Sequence, residues 1–402
     1  MTVKLKSNSL RRMGTGSLRI LAPYFPPLKS WIHRVAQRYA AKGLDSYMRG
    51  DLDAAEAEYC EALKWQPNNP KLHSDLGQVY LEQEKTDKAE QEFQKALEYD
   101  YKNLRALKGL GSLLQENGDS ARAMYLYLRY LEVEPKDALV LHNLGAIFHN
   151  IGNYDQALDY YARAAKEDPD DVLIRKNQGL TLMATGRRAE AKEVLLQAAK
   201  LDPKDGSIDR LIGTICENEG DLKQAAECYR SAIEKDSEDA EAHLQLAFLY
   251  SNHKDFREGA KYAEKAAKLF VEGGDFDGAA QAYWELGWDH YLLREFEKSL
   301  QASSESLRFD PNQGPVYFNL GLVLLHLSRD SEARKRYEDG IQNLTQIFDL
   351  KFYAIDDLRD ALQKNPGLPG GAEILSMLEK KYAGSSQEIT TSTEQTSASL
   401  PV

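Results

Sequence analysis

The sequence predicts an all-α fold, a solenoid of stacked antiparallel helix pairs with C-terminal capping helices. The first observation is a 34-residue period, at which small residues recur as Gly43, Gly77, Gly111, Gly145, Gly179, Gly213 and Ala247. The second is a matching series further on in each period: Ala55, Ala89, Ala123, Ala157, Ala191, Ala225 and Gly259. Small residues at both places let two helices cross closely. One such pair has too little core to be stable alone, so the copies must stack.

The repeating unit is clearest in residues 138–171, where apolar residues form two helical stripes separated by a break. Its regularly spaced residues are Leu141, Leu144, Gly145, Phe148, Gly152, Tyr154, Ala157, Tyr161, Ala164 and Pro169. Gly152 interrupts the chain between the stripes, and Pro169 ends the second helix. These residues at these spacings resemble the tetratricopeptide repeat family at every diagnostic position. The resemblance implies a right-handed superhelical solenoid in which the first helix of each repeat lines a concave groove.

About nine tandem repeats fill residues 28–345. After the seventh repeat the period lengthens, because Gly287 follows Ala247 by 40 residues, and it then returns to 34 at Gly321. In between, the apolar pattern of a helix continues through residues 261–274, and Gly273 and Gly274 end it. We therefore expect a longer second helix in repeat seven and an enlarged step to repeat eight.

Residues 1–27 are interpreted as a basic flexible leader. Residues 1–42 contain nine Lys or Arg side chains and no Asp or Glu. Three interpretations of the leader stay open: a disordered segment, an organelle transit peptide, and a surface anchor. In an anchor, the arginines contact anionic lipid headgroups while four apolar and aromatic residues insert: Ile20, Leu21, Tyr24 and Phe25.

Both ends of the repeat array are predicted to carry capping helices. A lengthened first helix is expected from Pro26 and Pro27, because proline is tolerated at the start of a helix. After the ninth repeat, helical periodicity continues until a break at 365–371, and a short amphipathic helix is predicted at 372–382. Residues 346–382 are therefore interpreted as helices that cover the end of the stack or fold back into the groove. Residues 383–402, rich in Ser and Thr, are interpreted as a disordered tail.

The composition is typical of a soluble, helix-rich protein. The chain of 402 residues has a net charge of −12, which disfavours nonspecific binding to nucleic acid. Its cysteines are Cys60, Cys216 and Cys228. Without a CxxC spacing they favour a reducing compartment and a cytoplasmic location. A location at the periphery of a membrane, or in an organelle addressed by the leader, stays open.

The sequence contains no pattern that predicts an enzyme. It has no nucleophile elbow, phosphate-binding loop, zinc-protease motif or dinucleotide fingerprint. His142 and His149 lie two helical turns apart, about 10 Å in rise, which is far for one metal ion. The acidic pair Asp356 and Asp357 is expected on a solvated helix face. No cofactor, metal or catalytic residue is predicted.

Two parts of the groove are candidate binding surfaces. In the family, positions 2, 5, 9, 12 and 13 of the first helix face the groove. In repeats two to six such positions carry basic residues: Lys71, Arg105, Lys108, Lys176 and Arg210. They predict a basic groove edge that captures an acidic peptide. Ordinary charge mixing on a helix face is the alternative. The family's carboxylate clamp is not reproduced, because Ser112 follows Lys108 at the clamp's second position.

The second candidate surface lies in repeats seven to nine. Apolar and aromatic residues occupy its groove positions: Phe248, Trp284, Trp288, Tyr291, Phe318 and Leu322. If exposed, they form a large apolar patch of the kind that marks interaction sites. The alternative is burial, either inside the stack after the lengthened step or beneath the C-terminal helices.

Two functions are consistent with the sequence. The first is a noncatalytic scaffold or adaptor that binds a partner peptide or helix in the concave groove. The second is an assembly factor that docks on an anionic membrane surface through residues 1–42 and recruits a soluble partner. The fold indicates a protein partner without naming one.

Overall fold

The computed structural model describes residues 15–21, 26–344 and 346–383, and every regular element in those ranges is a helix. The all-α prediction is therefore confirmed for this part of the chain. The predicted disordered tail and most of the predicted basic leader, including Phe25, lie outside it. The chain divides into two compact units, Met1–Ala191 and Lys192–Val402.

The helices of the first unit follow one another with short connections. They are α1 (Thr15–Leu21), α2 (Pro26–Met48), α3 (Leu52–Trp65), α4 (Pro70–Glu82), α5 (Thr86–Tyr99), α6 (Leu104–Glu116), α7 (Ser120–Leu131), α8 (Ala138–Asn150), α9 (Tyr154–Glu167) and α10 (Val172–Ala184). The boundary between the units falls within α11 (Arg188–Leu201). Because the connections are short, the helices that pair are antiparallel: α2 with α3, α4 with α5, α6 with α7, and α8 with α9.

The second unit continues the helix pairs and ends in a short helix, a π-helix and two further α-helices. Its helices are α12 (Gly206–Asn218), α13 (Leu222–Lys235), α14 (Ala240–Asn252), α15 (Phe256–Gly273), α16 (Phe276–Leu292), α17 (Phe296–Phe309), α18 (Gly314–His326), α19 (Asp330–Gln342), α20 (Ile347–Asp349), a π-helix (Leu350–Asp356), α21 (Asp357–Lys364) and α22 (371–383). The helices from α12 to α19 pair in sequence order. Within each unit the predicted solenoid of helix pairs is thus confirmed.

The small residues of the repeat make room for an aromatic ring from the second helix of the same repeat. A Cβ atom at Gly111 would lie 2.6 Å from the ring of Tyr127, and one at Gly145 would lie 2.7 Å from the ring of Tyr161. Both tyrosines are buried. A methyl group at these glycines would force the ring out of a packed core. This contact explains the 34-residue series of small residues.

In residues 138–171, two local devices end the first helix and start the second. Gly152 adopts φ +78°, a left-handed conformation that glycine reaches without a steric penalty. At the start of the following helix, the side chain of Asn153 accepts a hydrogen bond from the backbone N–H of Gln156. The break predicted at Gly152 is therefore confirmed.

The N-terminal end departs from the prediction in one respect. Residues 15–21 of the predicted flexible leader form α1, because Leu18 is buried against Leu28 and Ile32 of α2. As predicted, α2 begins at Pro26 and is lengthened to 23 residues. The ring of Trp31 packs edge-on against that of Trp65, with 5.4 Å between centroids. Residues upstream of the 34-residue frame thus extend the first repeat and pack against it.

The lengthened step after repeat seven is a longer helix, as predicted. Helix α15 has 18 residues and ends where Gly274 takes φ +75°. In the added turn, Phe270 is buried and contacts the next repeat at Gly278, where a Cβ atom would lie 2.5 Å from its ring. The extension therefore packs against α16.

The C-terminal helices close an apolar cluster on the groove-facing side of α18. Leu350 of the π-helix and Leu358 of α21 are fully buried in one cluster with Phe318 and Leu322. Ile374, in α22, belongs to the same cluster, so the amphipathic helix predicted at 372–382 is present as 371–383. The π-helix packs on α18, and the shared cluster also includes Ala333 and Tyr337 of α19.

Candidate functional site

The predicted basic edge contains ion pairs at the junctions between repeats. Arg105 of α6 forms an ion pair with Asp75 of α4. Lys108 Nζ lies 2.8 Å from Asp137 Oδ2, and the Tyr130 hydroxyl donates to the same oxygen over 2.7 Å. Burial alone would raise the pKa of Asp137, but the hydrogen bonds from Lys108 and Tyr130 hold that pKa below its ordinary value. Asp137 also caps α8, so these pairs stabilise the stack.

The other basic residues divide between the units. Arg210, in the second unit, places Nε 3.1 Å from Oδ2 of Asp239, which caps α14. Lys71 is exposed and Lys176 is half-buried. Since carboxylates neutralise three of the five cations, the structure favours charge mixing over capture of an acidic peptide. A binding role for the five residues stays a prediction.

The predicted apolar patch is largely covered. Phe318 and Leu322 have 0% and 1% of their surface exposed. The ring of Phe318 packs against Gly340 and Tyr337 of α19. Phe318 and Leu322 also share one cluster with Leu350 and Leu358 of the C-terminal helices. Both the stack and the C-terminal helices therefore bury these two residues, and a partner could not contact them in this conformation. Trp288 and Tyr291 pack partly buried against the same cluster. Phe248 is half-buried beside Leu244, Phe270 and neighbouring alanines.

A pocket remains where the tryptophans meet the C-terminal helices. Its volume is about 190 Å³. The rings of Trp284 and Trp288, from α16, and those of Phe352 and Tyr353, from the π-helix, line it. The centroids of the Trp284 and Tyr353 rings lie 6.0 Å apart, at an interplanar angle of 68°. Phe352 and Tyr353 are also partly exposed, so aromatic surface extends to the rim.

Three polar side chains complete the lining of this aromatic pocket. Asn319 is 4% exposed, and its Oδ1 atom has no hydrogen-bond partner among the described residues. Burial raises the pKa of Glu285 above its ordinary value, although a hydrogen bond with Ser251 opposes the shift. Burial, followed by the charges of Asp360 and Asp356, raises the pKa of Asp357 to about 6. Two carboxyl groups and a free acceptor therefore face four aromatic rings.

A larger cleft adjoins the aromatic pocket and shares Trp284 and Tyr353 with it. Its volume is about 700 Å³. Its other lining residues come from the first turns of α14, α16 and α18 and from nearby loops: Glu241, Asp275, Asp277, Gly278, Gln281, Asn312, Gln313, Gly314, Pro315, Asn343 and Asp349. This acidic cleft has four carboxylates and no Lys, Arg or His among the described residues that line it.

The sequence pattern did not identify the polar half of the pocket. Asp357 was expected on a solvated helix face, but it lines the pocket and is half-buried. Asn319 directly follows the groove residue Phe318 in repeat nine, and this adjacency was the one available signal for it. Its place opposite Asp357 depends on how the C-terminal helices fold back, which periodicity does not encode.

Both histidines of α8 pair with polar side chains of α10. The ring of His142 lies 2.8 Å from Asn177 Nδ2, and that of His149 lies 2.9 Å from Thr181 Oγ1. In the described part of the chain, no three His, Cys, Asp or Glu side chains lie together as metal ligands would. Within the same ranges, no helix is both long and apolar enough to cross a bilayer.

Family models match the chain in both units. Models described as Tetratricopeptide repeat match residues 47–103, 109–172 and 152–215, and one described as TPR repeat matches 213–253. No curated protein matches the chain significantly.

Solved structures similar to the chain include a tetratricopeptide repeat protein from Parabacteroides merdae ATCC 43184. It is 18% identical, with a TM-score of 0.49 over 62% of this chain and 99% of that one. The APC/C hetero-tetramer Cut9-Hcn1 contains a chain that is 16% identical, with a TM-score of 0.48 over 81% and 59%. A third is pilF of Pseudomonas aeruginosa, 22% identical, with a TM-score of 0.44 over 50% and 92%.

Proposed function

The chain belongs to the tetratricopeptide repeat family, and we propose that it is a noncatalytic scaffold whose second unit binds a basic segment of a partner protein. Repeats of this family support protein–protein interaction in general. The observation that carries the proposal is the acidic cleft of about 700 Å³ on the groove side of α14, α16 and α18. A scaffold needs an open surface with unneutralised polar groups, and this cleft supplies one.

The chemistry of the cleft selects the kind of partner. Glu241, Asp275 and Asp277 are exposed and line the cleft without a cation among its described residues. Such a surface attracts Lys and Arg side chains and repels acidic segments. The amide groups of Gln281 and Asn312 can hydrogen-bond to the backbone of an extended peptide. We therefore infer a basic, extended segment as the ligand, in place of the acidic peptide that the basic edge predicted.

The proposal predicts that reversing charge in the cleft weakens peptide binding. Peptides are first selected from a random 12-residue display library on the full-length protein, and their affinities are measured by fluorescence anisotropy. The double variant Glu241→Lys/Asp277→Lys should weaken binding roughly tenfold or more, because each reversal replaces an attraction by a repulsion. The selected peptides should be rich in Lys and Arg.

A matched control separates a local effect from one of net charge. Glu264→Lys/Glu297→Lys makes the same change on exposed residues of α15 and α17 that do not line the cleft. This control should keep affinity within about twofold at 0.15 M salt, where screening acts over about 8 Å. Equal losses in the two double variants, or no loss in either, would show that the cleft is not the binding site.

A further inference from the structure

The aromatic pocket has the features of a receptor for a cation. Trp284, Trp288, Phe352 and Tyr353 surround it, and the face of an aromatic ring attracts a positive charge within about 6 Å of its centre. The attraction is strongest for tryptophan and for a desolvated cation. Two of the rings come from a π-helical segment. The π-helix is a rare conformation in proteins, and where it occurs it is often at a functional site.

The polar groups of the pocket favour a ligand that is positively charged and donates hydrogen bonds. Glu285 and Asp357 supply carboxyl groups, and the unpartnered Oδ1 atom of Asn319 is a buried acceptor. A buried acceptor without a donor is unfavourable, so a ligand that donates hydrogen bonds is stabilised here. An ammonium group carries three donors and one positive charge. It therefore satisfies the amide oxygen and a carboxylate at once.

The size and shape of the pocket favour the end of a lysine side chain. Cavities of about 150 Å³ are known to hold a ligand of the size of benzene, and this pocket has about 190 Å³. A compact ammonium fits between rings on several sides, and its aliphatic stem contacts the ring faces. A guanidinium is planar and stacks on one face, which suits this arrangement less well.

We propose that the aromatic pocket binds the ammonium group of an unmodified lysine side chain from the basic segment that lies in the acidic cleft. That this lysine comes from a basic segment of a partner protein rests on the proposed function. The chemistry of the pocket can be tested without a partner.

The test uses three short probes that differ only at the end of one side chain. They are acetyl-Gly-Lys-Gly-amide, its trimethyl-lysine form, and the norleucine form, which is neutral. Binding is followed by tryptophan fluorescence in full-length protein carrying Trp31→Phe and Trp65→Phe, so that Trp284 and Trp288 give the signal. The lysine probe should bind about tenfold or more tightly than the norleucine probe. It should also bind more tightly than the trimethyl-lysine probe, which keeps the charge but has no N–H donor for Asn319.

A pair of variants tests the polar half of the pocket. Asp357→Asn keeps the shape of the side chain and removes its charge, so it should weaken ammonium binding by about tenfold. Glu338→Gln removes one carboxylate charge from an exposed residue of α19 that does not line the pocket, and it should leave affinity nearly unchanged. Unfolding by urea confirms that both variants are folded.

The outcomes separate this proposal from the proposed function. If the norleucine or the trimethyl-lysine probe binds as tightly as the lysine probe, or if the lysine probe does not bind, the lysine pocket is refuted and a cleft that binds selected peptides still stands. If the selected peptides ignore charge reversal at Glu241 and Asp277 while an ammonium probe binds and depends on Asp357, the pocket stands and the cleft is refuted.

Discussion

At the scale of single residues, the least expected feature is a fully buried carboxyl group in α16. Asp289 is 0% exposed. Ser251 Oγ lies 2.8 Å from Asp289 Oδ2 and 3.0 Å from the backbone oxygen of Ala247. A hydroxyl group has one proton, so when Ser251 donates to Ala247, a protonated Asp289 can donate to Ser251. This arrangement favours the neutral acid.

The surroundings of Asp289 make the stability of the folded state depend on pH. Burial, opposed by the hydrogen bond with Ser251 and assisted by the nearby Glu285, raises the pKa of Asp289 to about 8. Between about pH 4 and pH 8 the folded state therefore holds a proton that the unfolded state has lost. The stabilising contribution of this proton is complete below about pH 4 and is lost as pH rises to about 8.

Asp289→Asn should flatten the dependence of stability on pH. One such group changes the free energy of unfolding by at most about 1.4 kcal/mol per pH unit, and asparagine removes that titration. The measurement is urea unfolding at several pH values from 5 to 8. Asp277→Asn, at an exposed aspartate in the first turn of the same helix, is the control and should keep the wild-type slope. Equal slopes in all three proteins would contradict an acid held neutral at Asp289.

The residue scale also shows what a sequence pattern can and cannot reveal. The recurrence of small residues predicted close helix crossings, and the rings of Tyr127 and Tyr161 against Gly111 and Gly145 confirm it. That prediction succeeded because each crossing lies within one repeat. Asp289 is buried by contacts with α14 and α15. The periodicity of α16 alone does not predict these contacts.

At the scale of elements, the C-terminal helices decide which part of the groove is open. The pattern after repeat nine predicted helices, and helices are present, but the two possible positions for them could not be distinguished from periodicity. Their apolar residues supply the answer, because Leu350 and Leu358 are buried on Phe318. The predicted apolar patch is consequently partly converted into core, and the aromatic pocket is what remains of it.

Leu350→Ala should destabilise the C-terminal helices. Removing a fully buried leucine side chain destabilises a core by about 2–5 kcal/mol. Phe348→Ala, two residues earlier, removes a side chain that is 55% exposed and should change stability by less than about 1 kcal/mol. Hydrogen exchange of residues 346–383 reports the effect, since each part of a repeat array depends mainly on its neighbours. Equal protection in the two variants would contradict the role of these helices as a cover.

At the scale of the whole molecule, the repeat fold specifies the scaffold and its irregular parts specify the site. The 34-residue period predicted the helix pairs of both units, because each pair repeats the same local contacts. It could not predict a pocket that joins α16 to a π-helix far along the chain. Nor could it show that Lys108 and Arg210 are neutralised by Asp137 and Asp239, since each pair joins the first helix of a repeat to the residue that caps the next repeat's first helix.

The distribution of tryptophans across the molecule gives a direct test of where a partner binds. Trp31 and Trp65 lie in the first unit, and Trp284 and Trp288 lie in the second. Their indole N–H signals in a ¹H–¹⁵N spectrum can be assigned by replacing each tryptophan with phenylalanine in turn. During titration with a selected basic peptide, the signals of Trp284 and Trp288 should shift, while those of Trp31 and Trp65 stay in place. Shifts confined to Trp31 and Trp65, or no shift at any of the four at saturating peptide, would contradict a binding site in the second unit.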